Sequence, residues 1–256
     1  MKPMHASPGR SGADLARFEA IDGSFLGWAR AIAAEEVQFP VLIDQAALEC
    51  AEYPSAFPHL LMSACACLDP ARPLPGLLAG ANLAPTGWLL SPAVCYHAYL
   101  RWQNEVVEIP RILTARGRCF RKEAELSLGR RQIEFEMREI VFCGAEHWIG
   151  ARLAEAEERV NLIARSLRVT GEWEIAADPF FLPTAQGKAL MQRLQETKRE
   201  FVTKDPAPLA IVSINRHGTF FGERFALSLP DGQPAHTACV AFGLDRWERA
   251  AKAGPA

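Results

Sequence analysis

The stretch that most limits how this chain can fold is Glu134-Phe135-Glu136-Met137-Arg138-Glu139-Ile140-Val141-Phe142. Apolar and polar residues alternate through its first half, and it ends in a continuous apolar run. That pattern belongs to a strand whose faces see different surroundings. A second alternating run, Arg118-Cys119-Phe120, precedes it, with the polar stretch Leu126 to Arg131 between. Two such runs joined by a short polar loop predict a long antiparallel hairpin over Arg111 to Glu125 and Gln132 to Cys143.

Around this hairpin the chain offers both kinds of element. Ala13 to Glu36 carries Leu15, Phe18, Ile21, Phe25, Trp28 and Ile32 at helical spacing, with Gly23 and Gly27 as weak points. Phe39 to Ile43 is a short strand candidate, and Asp44 is placed to cap a helix running to about Ala51. Leu83 to Ala93 reads as loop, and Cys95 to Trp102 as a helix or buried segment. Ala145 to Ser166 is an amphipathic helix, and Thr184 to Glu200 reads as another. Arg168 to Ile175, Leu209 to Asn215, Gly222 to Leu229 and Thr237 to Phe242 read as strands, and Leu244 to Ala253 as a closing helix. Helices inserted among strands, without regular alternation, predict an α+β domain built on an antiparallel sheet flanked by helices. Met1 to Asp14 is read as a disordered tail and 15–256 as one domain.

Composition removes several classes. With 49% hydrophobic and 23% charged residues over 256 positions, the chain reads as an ordinary globular domain. A net charge of −2 carries no broad basic footprint for nucleic acid. Seven cysteines, an odd and scattered set, predict reduced thiols in a cytoplasmic protein, with metal binding open to a subset. The most apolar window, Leu74 to Val94, is broken by prolines and glycines, so no membrane span is expected. Neither a GxGxxG after a strand nor a GxxxxGK[ST] loop occurs, so a nucleotide here needs another cradle.

Three segments provide one. Cys119-Phe120-Arg121-Lys122-Glu123, then Arg130-Arg131-Gln132-Ile133-Glu134-Phe135-Glu136-Met137-Arg138-Glu139, then Ala241-Phe242-Gly243-Leu244-Asp245-Arg246 resemble, in order and spacing, the second and third signature motifs of class II aminoacyl-tRNA synthetases. Arg121 is placed to reach an α-phosphate and stabilise charge as a carboxylate attacks phosphorus. Phe135 can stack adenine, Glu123 can accept from its amino group, and Arg246 can stack the opposite face or hold the outer phosphate.

Further stretches narrow the resemblance. These are Ser55 to Leu60, Pro92 to His97, Asp178-Pro179-Phe180-Phe181, Asn215-Arg216-His217 with Phe221-Gly222, and Ala235 to Arg246. Over about residues 43–250 the chain resembles amino acid:[carrier protein] ligases, truncated homologues of the atypical seryl-tRNA synthetases of methanogenic archaea. The resemblance implies a Zn²⁺ site on Cys95, Glu139 and Cys239, with a fourth position open to an α-amino group. It also implies ATP and Mg²⁺, a small amino acid such as glycine or alanine, and transfer to the phosphopantetheine thiol of a small carrier protein. A homodimer is implied, and no tRNA, since such proteins lack the N-terminal tRNA-binding arm. Asn215 and His217 are candidates for the amino-acid pocket. Class II enzymes commonly carry an acidic Mg²⁺ ligand on the strand entering the Asn215 region. Leu209 to Val212 are apolar there, which leaves Glu134 or Glu223 as candidates. The basic face of 184–200 (Lys188, Arg193, Lys198, Arg199), or the helix over 145–166, is expected to dock the carrier. Two further readings are a non-catalytic amino-acid-binding paralogue with a regulatory role and a tRNA-charging synthetase lacking its arm.

Overall fold

The structure, a computed structural model, describes residues 9–73, 76–178, 197–204 and 207–253. Its frame is a seven-stranded sheet. The predicted hairpin supplies β5 (Arg111–Phe120) and β6 (Glu134–Gly144), paired antiparallel from Arg111↔Cys143 to Phe120↔Glu134. The short β1 (Glu35–Glu36) adds to β5 in parallel. On the other side follow β10 (His236–Gly243), β9 (Leu209–Gly218), β8 (Lys198–Thr203) and β7 (Glu172–Ile175), each antiparallel to its neighbour. A separate three-stranded sheet, in the order β2-β4-β3, comprises β2 (Leu42–Asp44), β3 (Ser63–Cys67) and β4 (Leu83–Leu90).

Alternation along β6 and β10 sorts the interior into two layers. Ile140 and Phe142, with Val240 and Phe242, meet three helices: α1 (Gly12–Ala31), α5 (Glu146–Ser166) and α7 (Leu244–Ala253). From α1 come Phe18, Ile21, Phe25 and Trp28, recurring at helical spacing. Phe25 stacks on Phe242 at 4.1 Å. Met137, Val141, Cys143 and Cys239 face the other way, toward α4 (Cys95–Arg101) and the short α6 (Phe220–Arg224). Two short helices, α2 (Gln45–Cys50) and α3 (Tyr53–Ala56), extend this second side, and Asp44 caps α2 by accepting from the Ala46 amide.

Five sequence expectations shift. The helix expected over 13–36 ends at Ala31, and Glu35 and Glu36 join the sheet. It begins at Gly12, inside the stretch read as a tail, and Arg10 already makes three side-chain hydrogen bonds. The loop expected over 83–93 holds β4, whose pairing partners are distant in sequence. The strand expected over 222–229 opens instead in α6, because Gly222 packs on the backbone of Ala235, whose carbonyl oxygen would lie 2.1 Å from any Cβ there. The helix expected over 184–200 falls mostly outside the described residues, but its last three positions belong to β8. Among the described residues no helix is long and apolar enough to cross a membrane.

Candidate functional site

On the α4 side of the sheet lies a cavity of roughly 790 Å³. Nine of the residues named from sequence line it: Cys95, Arg121, Glu123, Phe135, Glu139, Asn215, His217, Cys239 and Arg246. They come from segments far apart in the chain, brought together by the register of the strands.

Its floor is a cluster of donors. Cys239 pairs with Val141, and Glu139 lies two residues from Val141, so the thiol and the carboxyl share one face of adjacent strands. Cys95, opening α4, lies across from them. The three donor atoms are all within 4.8 Å of one another, and all three residues are buried. Burial, then the neighbouring Cys239 charge, raises the Glu139 carboxyl to about 8. A hydrogen bond from Cys95 holds Cys239 well below the thiol range, and the same bond, with burial, raises Cys95 well above it. Glu139 Oε2 is buried with no hydrogen-bond partner. Three buried groups able to carry negative charge, one with an orphaned oxygen, fit a cation. Two thiolates and a carboxylate form a ligand set suited to zinc and leave a fourth tetrahedral position free.

The side walls of this floor come from β9. Asn215, directly opposite Cys239, donates Nδ2 to its Sγ at 3.5 Å and to Ser213 Oγ at 3.0 Å. His217 Nε2 lies 3.9 Å from Cys239 Sγ, and its Nδ1 lies 3.2 Å from the Tyr99 hydroxyl. Sequence reasoning passed over Tyr99, although it sits one helical turn beyond Cys95 and so shares its face of α4. Tyr99 stacks on Phe221 at 4.3 Å, and the Phe221 ring in turn lies 4.8 Å from the His217 ring.

Farther up, two guanidinium groups face the same space. Arg121 donates from Nε and Nη2 to the Pro92 carbonyl at 3.1 and 3.0 Å and lies 5.1 Å from the centre of the Phe135 ring. Arg246 donates to the carbonyls of Arg130 at 3.1 Å and Ala210 at 2.8 Å. Neither forms an ion pair among the described residues, so both keep their charge for the cavity. Burial, then the nearby Arg121 charge, lowers the Arg246 guanidinium from its ordinary value. Two like charges held by backbone carbonyls beside an aromatic face make a receptor for a polyanion carrying a flat ring. Glu123 sits close by, 3.8 Å from Arg131.

The acidic candidates proposed from sequence to replace a ligand on β9 do not line the cavity. Glu134 binds Arg118 at 2.7 Å, and Glu223 accepts from Thr219 at 2.7 Å. Glu200 lines it instead, on β8 directly opposite Ser213. No local pattern marks it, since Lys198 to Thr203 runs from three polar, half-buried positions into a buried end rather than alternating. Lys198, assigned from sequence to a docking face, bridges Asp178 at 2.5 Å and Glu200 at 3.3 Å beside the cavity. The helix α5 packs on the opposite face of the sheet, away from the cavity. Lys188 and Arg193 lie outside the described residues.

Solved synthetases share this frame. The seryl-tRNA synthetase of M. kandleri, solved with A. aeolicus tRNASec, superposes with a TM-score of 0.82 over 97% of this chain and 54% of its own, at 23% identity. Giardia lamblia prolyl-tRNA synthetase with prolyl-adenylate superposes with a TM-score of 0.70 over 92% of this chain and 45% of its own, at 14% identity. The chain thus has the class II aminoacyl-tRNA synthetase fold, and it spans about half the length of these solved chains. Amino acid–[acyl-carrier-protein] ligase 1 of Bradyrhizobium diazoefficiens is 33% identical over 230 residues, covering 85% of this chain and 70% of that one. Ligase 2 of the same organism is 33% identical over 225 residues, covering 83% and 67%. The type-2 serine–tRNA ligase of Methanococcus aeolicus is 26% identical over 172 residues, 63% of this chain and 33% of that one. No family model matches the chain. It belongs to the amino acid–[acyl-carrier-protein] ligase family.

Proposed function

We propose that this chain uses ATP to activate a small amino acid, of the glycine or alanine type, as an aminoacyl-adenylate and passes it to the phosphopantetheine thiol of a carrier protein. The observation that carries this reading is the convergence of an arginine pair, an aromatic face and a Cys-Glu-Cys donor cluster on one cavity.

Phe135 presents a flat face for adenine, and Glu123 an acceptor for its amino group. Arg121 faces the α-phosphate and Arg246 the outer phosphates. Fixed by backbone carbonyls before substrate arrives, these guanidinium groups need little reorganisation as charge develops. A Mg²⁺ accompanying ATP would find a carboxylate at Glu200. At the floor, Cys95, Glu139 and Cys239 would hold zinc, which when bound supplies an open position for an α-amino group. Asn215 and His217 line the neighbouring space, and the Tyr99–Phe221 stack behind them supports a short substrate side chain. An amino acid anchored at the floor has its carboxylate turned toward the phosphates, and such placement removes several kcal/mol of barrier, on the order of those seen for intramolecular reactions. The carboxylate oxygen bonds to the α-phosphorus and pyrophosphate leaves. The carrier thiolate, from a thiol of ordinary pKa about 8.5, then attacks the acyl carbon and AMP leaves. No protein nucleophile is required. A homodimer, implied by the family resemblance, and a cytoplasmic setting, in keeping with seven free cysteines, belong to the same proposal.

Amino-acid-dependent ATP–pyrophosphate exchange, run across the standard amino acids with metal content measured on the same sample, tests this. The expected result is exchange with glycine or alanine and about one zinc per chain. Zinc-loaded protein that supports no exchange with any amino acid would overturn the activity and favour an amino-acid sensor. Charging of tRNA would favour a synthetase.

A further inference from the structure

We propose that Arg10 is a positioning residue for Arg246, clamping the start of α7 so that the Arg246 guanidinium enters the cavity in a fixed direction. The inference deepens the reading of that cavity as an ATP site and rests on it.

Arg10 lies just before α1, in the stretch whose sequence reads as a tail. Its guanidinium donates from Nη2 to Asp245 Oδ1 at 2.5 Å, from Nε to Glu248 Oε2 at 2.9 Å and from Nη1 to Glu136 Oε1 at 3.5 Å. It also lies 3.7 Å from the centre of the Phe18 ring. One cation thus joins three carboxylates, two on the first turns of α7 and one on β6, and an aromatic face of α1. Asp245 is buried and doubly held, since its other oxygen, Oδ2, accepts from the Glu136 amide at 2.6 Å. It therefore ties α7 to the cavity-forming strand β6 as well as to Arg10.

Arg246 is the next residue. Its own two hydrogen bonds reach carbonyls on the hairpin loop and on β9, and neither partner belongs to α7. Those bonds hold the guanidinium end, while the backbone end of the side chain is placed by where the first turn of α7 begins. Without Arg10, Asp245, Glu248 and Glu136 lose their shared cation. Three carboxylates left close together repel one another. The turn that carries Arg246 is then free to shift, and a shift of about an ångström is enough to misalign a reacting phosphate. Arg116 binds Glu136 at 2.8 Å but makes no bond to α7 among the described residues, so it does not replace the clamp.

Because the clamp acts through the nucleotide side of the cavity, it separates from a purely structural role. Arg10→Ala and Arg10→Lys are compared with wild type by calorimetric ATP binding, by Michaelis constants in the exchange assay, and by thermal unfolding without nucleotide. Lys252→Ala, which breaks the 3.0 Å tie to Glu248 and the 3.1 Å tie to Asp14 farther along α7, is the control. The clamp predicts ATP binding about tenfold weaker in Arg10→Ala, the change that ~1.4 kcal/mol represents. The amino-acid Michaelis constant stays within about twofold, Arg10→Lys falls between, and Lys252→Ala matches wild type. Unchanged ATP affinity in both Arg10 variants, or equal losses for ATP and amino acid, would overturn the proposal. Should Arg10→Ala not fold, Arg10→Lys alone decides by the same ratio. Wild-type protein that binds ATP without exchange would defeat the ligase reading while leaving the clamp to be judged by binding. Wild-type protein that binds no ATP would defeat both.

Discussion

At the scale of single residues, the chemistry is concentrated in side chains that burial leaves without ordinary partners. Glu139 is the sharpest case, a carboxyl inside the protein with one oxygen bonded to nothing. Glu139→Gln keeps the shape and removes the charge. A neutral amide is a poor zinc ligand beside two thiolates, so metal content is expected to fall from about one per chain to a small fraction. Atomic absorption on the purified variant checks this, and full retention of metal would remove Glu139 from the ligand set. Arg121→Ala removes a guanidinium that two hydrogen bonds to Pro92 fix beside Phe135. Exchange is expected to slow by on the order of 10²-fold, as when a preorganised donor to a developing charge is lost, with little change in melting temperature. The types of these residues were legible in the sequence. Choosing among cysteines was harder. Cys65 and Cys67 are close neighbours in the sequence, yet they sit exposed on β3, and only the family resemblance preferred Cys95 and Cys239.

Among elements, those legible in the sequence were the ones whose pattern is local. The hairpin, α5 and α7 carry their own periodicity and lie where it places them, and the segment read as helix or buried stretch is the helix α4. β4 was hidden because Pro85 and Gly87 interrupt it, and its pairing depends on β2, far earlier in the chain. The short α6 carried a faint signal, Phe221 and Phe225 at the spacing of one helical face, which the nearby strand-like residues masked. What fixes α6 is a contact no local pattern reveals. Gly222 meets the Ala235 backbone so closely that a Cβ would lie 2.1 Å from the carbonyl oxygen and 3.0 Å from the amide nitrogen. Backbone cannot rotate away as a side chain can. Gly222→Ala is therefore expected to cost about 3 kcal/mol, at or above the upper end for overpacking. Because α6 carries Phe221 against Tyr99 and His217, the amino-acid Michaelis constant should rise more than that for ATP. Urea unfolding and exchange kinetics read the two effects separately, and an unperturbed variant would mean that the backbone at Ala235 shifts to absorb the contact.

The whole molecule is held together by charge as well as by its apolar layers. Arg138, on β6 beside the candidate ligand Glu139, is buried and grips Asp22 of α1 with two bonds, Nε to Oδ1 at 2.6 Å and Nη2 to Oδ2 at 2.8 Å. Its Nη1 reaches Thr114 at 3.2 Å, whose hydroxyl donates to the Glu139 carbonyl at 2.9 Å. Thus α1 is coupled through a buried pair to the backbone of the strand that carries Glu139. No local pattern hints at the pair, since 116 positions separate the two residues. A buried ion pair adds little over an apolar replacement, because desolvation offsets its attraction, yet breaking it strands one charge. Asp22→Ala is expected to destabilise by about 3–5 kcal/mol, whereas Asp22→Leu with Arg138→Met restores most of that loss. A double-mutant cycle by chemical unfolding measures the coupling. If the pair only fastens α1, the double variant regains exchange activity together with stability. If it also sets the Thr114–Glu139 contact, stability returns while metal affinity stays low. The thioether brought in by Arg138→Met has no N–H to offer, so the Thr114 hydroxyl loses its arginine donor and the β6 backbone beside Glu139 is less firmly placed.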